Sequence, residues 1–212
     1  MTTDRVLILG IGNLLWADEG FGVRCVERLN QHYRFAEQVK LLDGGTLGIY
    51  LVQHLQESDV LIVFDAIDYG LKPGTLKVVR DEEVPKFMGA KRMSLHQTGF
   101  QEVLAMAELT GQYPRELMLI GVQPELLEDF GGSLTSSVRA QLDPAIELAL
   151  EYLASLGILP LADETALESH EELSPQQLAL ERYEQGRPDS VEAFRHGDVR
   201  FMNLFTPVSD ES

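Results

Sequence analysis

Short apolar runs and amphipathic stretches alternate along most of the chain. "RVLILG" (5–10) is an apolar run closed by glycine and predicts a buried strand. Residues 19–33 carry Val23, Val26 and Leu29 at helical spacing, with Asp18 in the N-cap position. "VKLLD" (39–43) predicts a second strand, and "TLGIYLVQHLQ" (46–56) a helix capped by Thr46. "DVLIVFDAI" (59–67) is the most strand-like run and is apolar enough to be central. "TLKVVRD" (75–81) follows a Pro-Gly turn as a fourth strand. Phe100, Val103, Leu104 and Ala107 define a helix over 98–110 that stops at Gly111. "ELMLIGVQP" (116–124) is the fifth strand. Asp143-Pro144 then opens a helix through Ile146, Leu150 and Leu153 that ends at Gly157, since proline near a helix start loses no hydrogen bond.

Alternating apolar strands and helices predict an α/β protein, a three-layer α/β/α fold around a mostly parallel twisted sheet of about five strands. In such sheets, sites form beyond the carboxyl ends of the strands. The pattern changes near Pro160. Residues 161–212 hold 12 Asp and Glu against 4 Arg, which is −8 of the chain's net −17. The chain therefore divides into a catalytic α/β domain, 1–160, and an acidic C-terminal extension, 161–212, expected to be peripheral or partly disordered. Within it, helical spacing is confined to "QQLALERYEQ", and "VRFMNLF" (199–205) is an apolar patch.

The acidic balance of the 212 residues argues against nucleic acid and anionic membranes as partners, because both select Lys and Arg. No run approaches the roughly 20 apolar residues of a membrane span, and "MTTDRVLILG" has no basic segment of the signal-peptide kind, so a cytoplasmic protein is expected. Cys25 is the sole cysteine, which excludes an internal disulfide or a thiolate zinc site and suits a reducing compartment. Nothing in the pattern demands a second copy, so a monomer is expected.

The glycines after strand one invite a dinucleotide reading. Gly10 and Gly12 fit G-x-G-x-x-G, but Leu15 stands at the third glycine. Asp43 closes strand two about 30 residues on rather than about 20. Asp18 and Glu19 occupy the helix start where a pyrophosphate needs N–H groups and positive potential. No P-loop, G-x-S-x-G elbow or H-E-x-x-H is present.

The polar residues at the predicted carboxyl ends are Asn13, Asp18, Glu19, Asp43, Asp65, Asp68, His96 and Gln123. Glu19, Asp65 and His96 would offer two carboxylates and an imidazole to a divalent metal of borderline hardness: nickel, zinc, cobalt or manganese. Three protein ligands leave positions open for a substrate group or water. His96 binds only when neutral, so affinity should fall below roughly pH 6. Each residue also has a purely structural role open to it. Asp18 and Glu19 suit a helix dipole, Asp65 a buried ion pair, and His96 a helix entry between Ser94-x-x-Gln97 and Thr98-x-x-Gln101. His32, His54, His170 and His196 have no such company.

Five blocks, "GIGNLLWADEGFGVR", "LLDGGTLGIYL", "VFDAIDYGLKPGT", "KRMSLHQTGFQEVLA" and "LIGVQPELLEDFGGSLT", together resemble the nickel–iron hydrogenase maturation proteases over residues 5–158. The resemblance implies an endopeptidase, classed as aspartic-type, that removes the C-terminal extension of a hydrogenase large-subunit precursor. It implies that the metal ligands are Glu19, Asp65 and His96. Nickel is then recognised on the substrate, a precursor already loaded with the metal, and bridges enzyme and substrate. A non-catalytic nickel-sensing chaperone could use the same ligands. The catalytic nucleophile is left open, and Asp43 is read as a helper or as a helix cap.

Overall fold

The computed structural model describes residues 4–45, 47–85, 95–161, 173 and 175–187; the side chains of 95–98 and 176 lie outside that description. Thr46, Ser94, His170, His196 and the patch at 199–205 therefore lie outside the described residues.

Five strands form one sheet: β1 Val6–Ile11, β2 Val39–Gly45, β3 Val60–Ala66, β4 Leu76–Arg80 and β5 Glu116–Val122. Their order is β2-β1-β3-β5-β4. All neighbours are parallel except β4, which runs antiparallel to β5 at the edge. Among the described residues, the helices with both ends defined are α1 Phe21–His32, α2 Val52–Gln56, α3 Leu95–Leu109, α4 Ser136–Arg139, α5 Leu142–Ser155 and α6 Leu180–Gln185. The predicted α/β architecture holds.

The central strands are apolar throughout because both faces are covered. Val6 and Ile8 of β1 join Val60, Ile62 and Phe64 of β3 on the face that carries α1 and α5. Leu7 and Leu9 join Leu61 and Val63 on the opposite face, under α2 and α3. Period-two alternation thus sorts one continuous run into two cores.

From β1 the chain moves outward to β2, then crosses back to β3 on the other side of β1. That reversal makes the β1/β3 carboxyl edge a topological switch point, where the connections leave to opposite faces and open a crevice.

Two helix starts differ from the spacing. The helix foreseen from residue 19 begins at Phe21, after a 3-10 turn over Ala17–Gly20. The helix foreseen over 46–56 starts as a 3-10 turn, Gly48–Leu51, and becomes α-helical only at Val52–Gln56. In both cases a tight turn supplies chain near the sheet edge before the helix can run down a face. Helix α3 starts at Leu95, so His96 stands in its first turn rather than ahead of it.

Candidate active site at the carboxyl edge

Strand β1 ends in a loop that is folded on itself. Asn13 N donates to the Glu19 carbonyl (3.2 Å), and Glu19 N donates to the Trp16 carbonyl (2.9 Å). Ala17 opens the 3-10 turn at φ 37°, a left-handed conformation that costs an alanine about 1 kcal/mol. The turn is held because the next helix is wedged into the crevice. A methyl group at Gly22 would sit 2.2 Å from the carbonyl oxygens of both Ile11 and Phe64. Only glycine lets α1 start that close to the ends of β1 and β3. The residue after Phe64 is Asp65, so this contact brings the Ala17–Gly20 turn against β3.

Asp18 and Glu19, adjacent in sequence, have different surroundings. Asp18 is wholly buried. Its Oδ2 accepts hydrogen bonds from Glu125 N (2.9 Å), Leu126 N (2.9 Å) and Thr135 Oγ1 (3.0 Å), and its Oδ1 from Thr135 N (2.7 Å). The N-cap reading of Asp18 is therefore replaced. Gly20 is the N-cap of α1 with no side-chain bond, and Asp18 instead ties down the loop after β5. Three backbone N–H groups and a hydroxyl replace the water the carboxylate gave up. Glu19 is half-buried on the same turn.

Asp65, at the end of β3, is wholly buried. Its partner across β5 is Gly121, and the absent side chain there makes room for Tyr69, whose hydroxyl would lie 2.0 Å from a methyl group at that position. Burial pushes the Tyr69 phenol well above its ordinary value, and the negative charge of Asp65 pushes it further. The phenol therefore stays protonated through the neutral range beside this carboxylate. Tyr69 was not singled out by the sequence, although the aromatic four residues after Asp65 was visible in "DAIDYG".

His96 reaches the same edge through α3. The helix packs on the turn after β2, where a methyl group at Gly99 would lie 3.5 Å from the Gly48 Cα. His96 stands one turn earlier, at the carboxyl-edge end of the helix; its side chain lies outside the described residues. Among the described residues, no three of His, Cys, Asp and Glu gather as a metal cluster. The donor chemistry of the three named residues, two carboxylates and an imidazole, still fits a borderline divalent metal.

The other carboxyl-edge polar groups are occupied locally. Gln123 Oε1 accepts from Tyr69 N (2.7 Å) and Leu71 N (3.1 Å), and its Nε2 donates to Asp68 Oδ1 (3.0 Å). Gln123 and Asp68 thus shape the turn after β3. Asn13 Oδ1 accepts from Leu15 N (3.0 Å) in a similar local turn. Asp43 pairs in register with Gly10 and is half-buried at the end of β2. Cys25 is buried inside α1, where burial raises its thiol well above the ordinary value, so it is a core residue.

The geometry also answers the dinucleotide question. A methyl group at Gly12 would lie 1.8 Å from the Glu19 carbonyl oxygen. The chain's own acidic turn fills the space that a Rossmann glycine keeps clear for pyrophosphate.

An α/β domain with an acid-rich site at its β1/β3 switch point is the class of protein that fold and site define. The family described as hydrogenase maturation protease matches residues 23–152. The chain is 68% identical over 211 residues to the hydrogenase expression/formation protein HoxM of Azotobacter vinelandii, covering 100% of both. It is 44% identical to the hydrogenase 2 maturation protease of Escherichia coli (strain K12), over 73% of this chain and 93% of that one. Among solved structures, the hydrogenase maturating endopeptidase HybD from E. coli superposes with a TM-score of 0.70 at 42% identity, covering 74% of this chain and 96% of that one. The chain belongs to the hydrogenase maturation protease family. It is a hydrolase with the fold of those endopeptidases, and no described helix is long and apolar enough to cross a membrane.

Proposed function

We propose that this chain is the endopeptidase that removes the C-terminal extension of a nickel–iron hydrogenase large-subunit precursor once nickel is in place. Glu19, Asp65 and His96 read the nickel carried by the substrate. The observation that carries this reading is the Gly22 wedge, which packs the turn bearing Glu19 against β3 at the buried Asp65. A protein that reads metal held by another protein must leave coordination positions to that partner, and two carboxylates and an imidazole leave positions for the substrate's ligands. A substrate-borne metal held there would polarise the scissile carbonyl or acidify a water. Cytoplasmic action fits the buried free thiol of Cys25.

The test is mass spectrometry of precursor incubated with the protein, with and without nickel. The expected outcome is loss of a C-terminal peptide from nickel-loaded precursor alone. Glu19→Ala and His96→Ala should each lower the rate by about a thousandfold or more with circular dichroism unchanged. Normal processing by either variant removes that residue from the site. Nickel-dependent binding with no change in precursor mass would make the protein a nickel-checking chaperone.

A further inference from the structure

The loop after β5, residues 124–135, borders the site and is held from two sides. Asp18 grips its inner side through Glu125, Leu126 and Thr135. Its outer side meets the C-terminal extension. Ser133 Oγ donates to Glu184 Oε1 (2.6 Å), and Arg187 Nη2 donates to Asp129 Oδ2 (2.6 Å). Arg139, just past the loop, pairs with the same Glu184. The extension is anchored further back on α1, where buried Arg24 donates to the Leu178 carbonyl (2.6 Å) and lies 5.7 Å from the Tyr183 ring.

Leu134 of this loop is turned into the core, and Leu126 and Phe130 could have followed it. Instead Leu126 is 42% exposed and Phe130 52% exposed. The Phe130 ring is propped edge-on against Trp16, with centroids 5.3 Å apart, and Gly131 N donates to the Leu15 carbonyl (2.8 Å). Large apolar groups fixed outward beside a site are the anatomy of an interface core, and fixing them in advance removes the ordering cost at association. The HybD alignment covers 96% of that chain but 74% of this one, so about a quarter of this chain has no counterpart there.

We infer that residues 175–187 are a strap that holds the 124–135 loop as a preformed platform on which the precursor protein docks through Leu126 and Phe130. The occupant is the precursor because the platform is continuous with the β1 loop that carries Glu19: Trp16 bridges to Phe130 and Asp18 N donates to the Leu126 carbonyl (3.1 Å). In this respect the inference rests on the function proposed above. The strap residues position the loop and touch no reacting atom.

The experiment uses full-length protein in three forms: wild type, Glu184→Ala with Arg187→Ala, and Leu126→Ser with Phe130→Ser. Hydrogen exchange of the free proteins, precursor binding, and the KM and kcat of cleavage are all measured. The strap variant should exchange its 124–135 amides about tenfold faster with β1 and β3 unchanged. Both variants should raise KM and Kd about fivefold or more at near-constant kcat. A general loss of structure would instead accelerate exchange in the strands and lower kcat. Unchanged loop exchange in the strap variant overturns the inference, and so do unchanged Kd and KM in either variant. Wild type that binds precursor without cutting it, with binding weakened in both variants, keeps the platform and removes the endopeptidase reading. Normal cleavage at unaltered KM in both does the reverse.

Discussion

The two edges of the sheet handle charge in opposite ways. At the amino edge, Arg5 reaches Asp59 through Nε (3.1 Å) and Nη2 (3.1 Å), and Arg115 reaches Asp4 (3.0 Å) and Glu116 (3.1 Å). These pairs stand largely in water, where Coulomb attraction is screened and side-chain ordering offsets much of the gain. At the carboxyl edge, Asp18 and Asp65 are wholly buried, and Asp18 is held by backbone N–H groups rather than by a cation. Exposed ion pairs are what the amino edge shows; at the carboxyl edge buried carboxylates hold the strand ends, and the ion pairs Arg139–Glu184 and Arg187–Asp129 lie further out, on the loop after β5. A buried carboxylate fixed by main-chain donors sets the geometry of the loop it holds more strictly than an exposed ion pair does.

Three substitutions test that contrast in order of effect. Asp18→Ala leaves three backbone donors and a hydroxyl facing an apolar methyl, and should cost about 4 kcal/mol, read as a lowered urea midpoint. Gly22→Ala should cost about 3 kcal/mol, because the carbonyls it meets are main chain and cannot swing aside; cleavage should fall as well, since the turn bearing Glu19 is pushed from β3. Arg5→Ala at the other edge should move Tm by no more than about 2 °C. A loss at Arg5 as large as that at Asp18 would break the comparison.

The amino edge also yields a pH signature. The Arg5 side chain, and then its backbone N–H, hold Asp59 below its ordinary value of 3.8 in the folded protein. A depressed folded value means that the unfolded chain takes up the proton first as pH falls. The contribution is therefore complete at neutral pH, starts to fade near 3.8 and is lost as pH drops through the lower folded value. The Tm difference between wild type and Asp59→Asn, small at pH 7, should shrink towards zero below that window.

The strands were legible because apolar runs such as "VLIVFDA" have one cheap fate, burial on both faces. Their order was not, since nothing local says that β5 inserts between β3 and β4. Glu19, Asp65 and His96 could be named from strand ends and from the likeness of five sequence blocks. Asp18 was misread because its partners lie 107 to 117 residues away, while a capping acid looks identical in a short window. Gly22 was visible in "GFGVR", but its meaning depends on the Phe64 carbonyl, which no spacing rule reaches. The α6 segment was foreshadowed by the spacing in "QQLALERYEQ"; its grip on Arg24 and Ser133 depends on tertiary placement.

The 3-10 turn at Ala17–Gly20 also acts as an angular index. Three residues complete one revolution, so neighbouring side chains diverge by about 120°. Once Asp18 is locked to the loop after β5, the bearing of Glu19 is no longer adjustable. Adding or removing one residue between Trp16 and Gly20 would rotate the wrong acid into each place. Chain length at this point is thus as strictly specified as residue identity, and a family of such sites could vary its surfaces widely while keeping this count fixed.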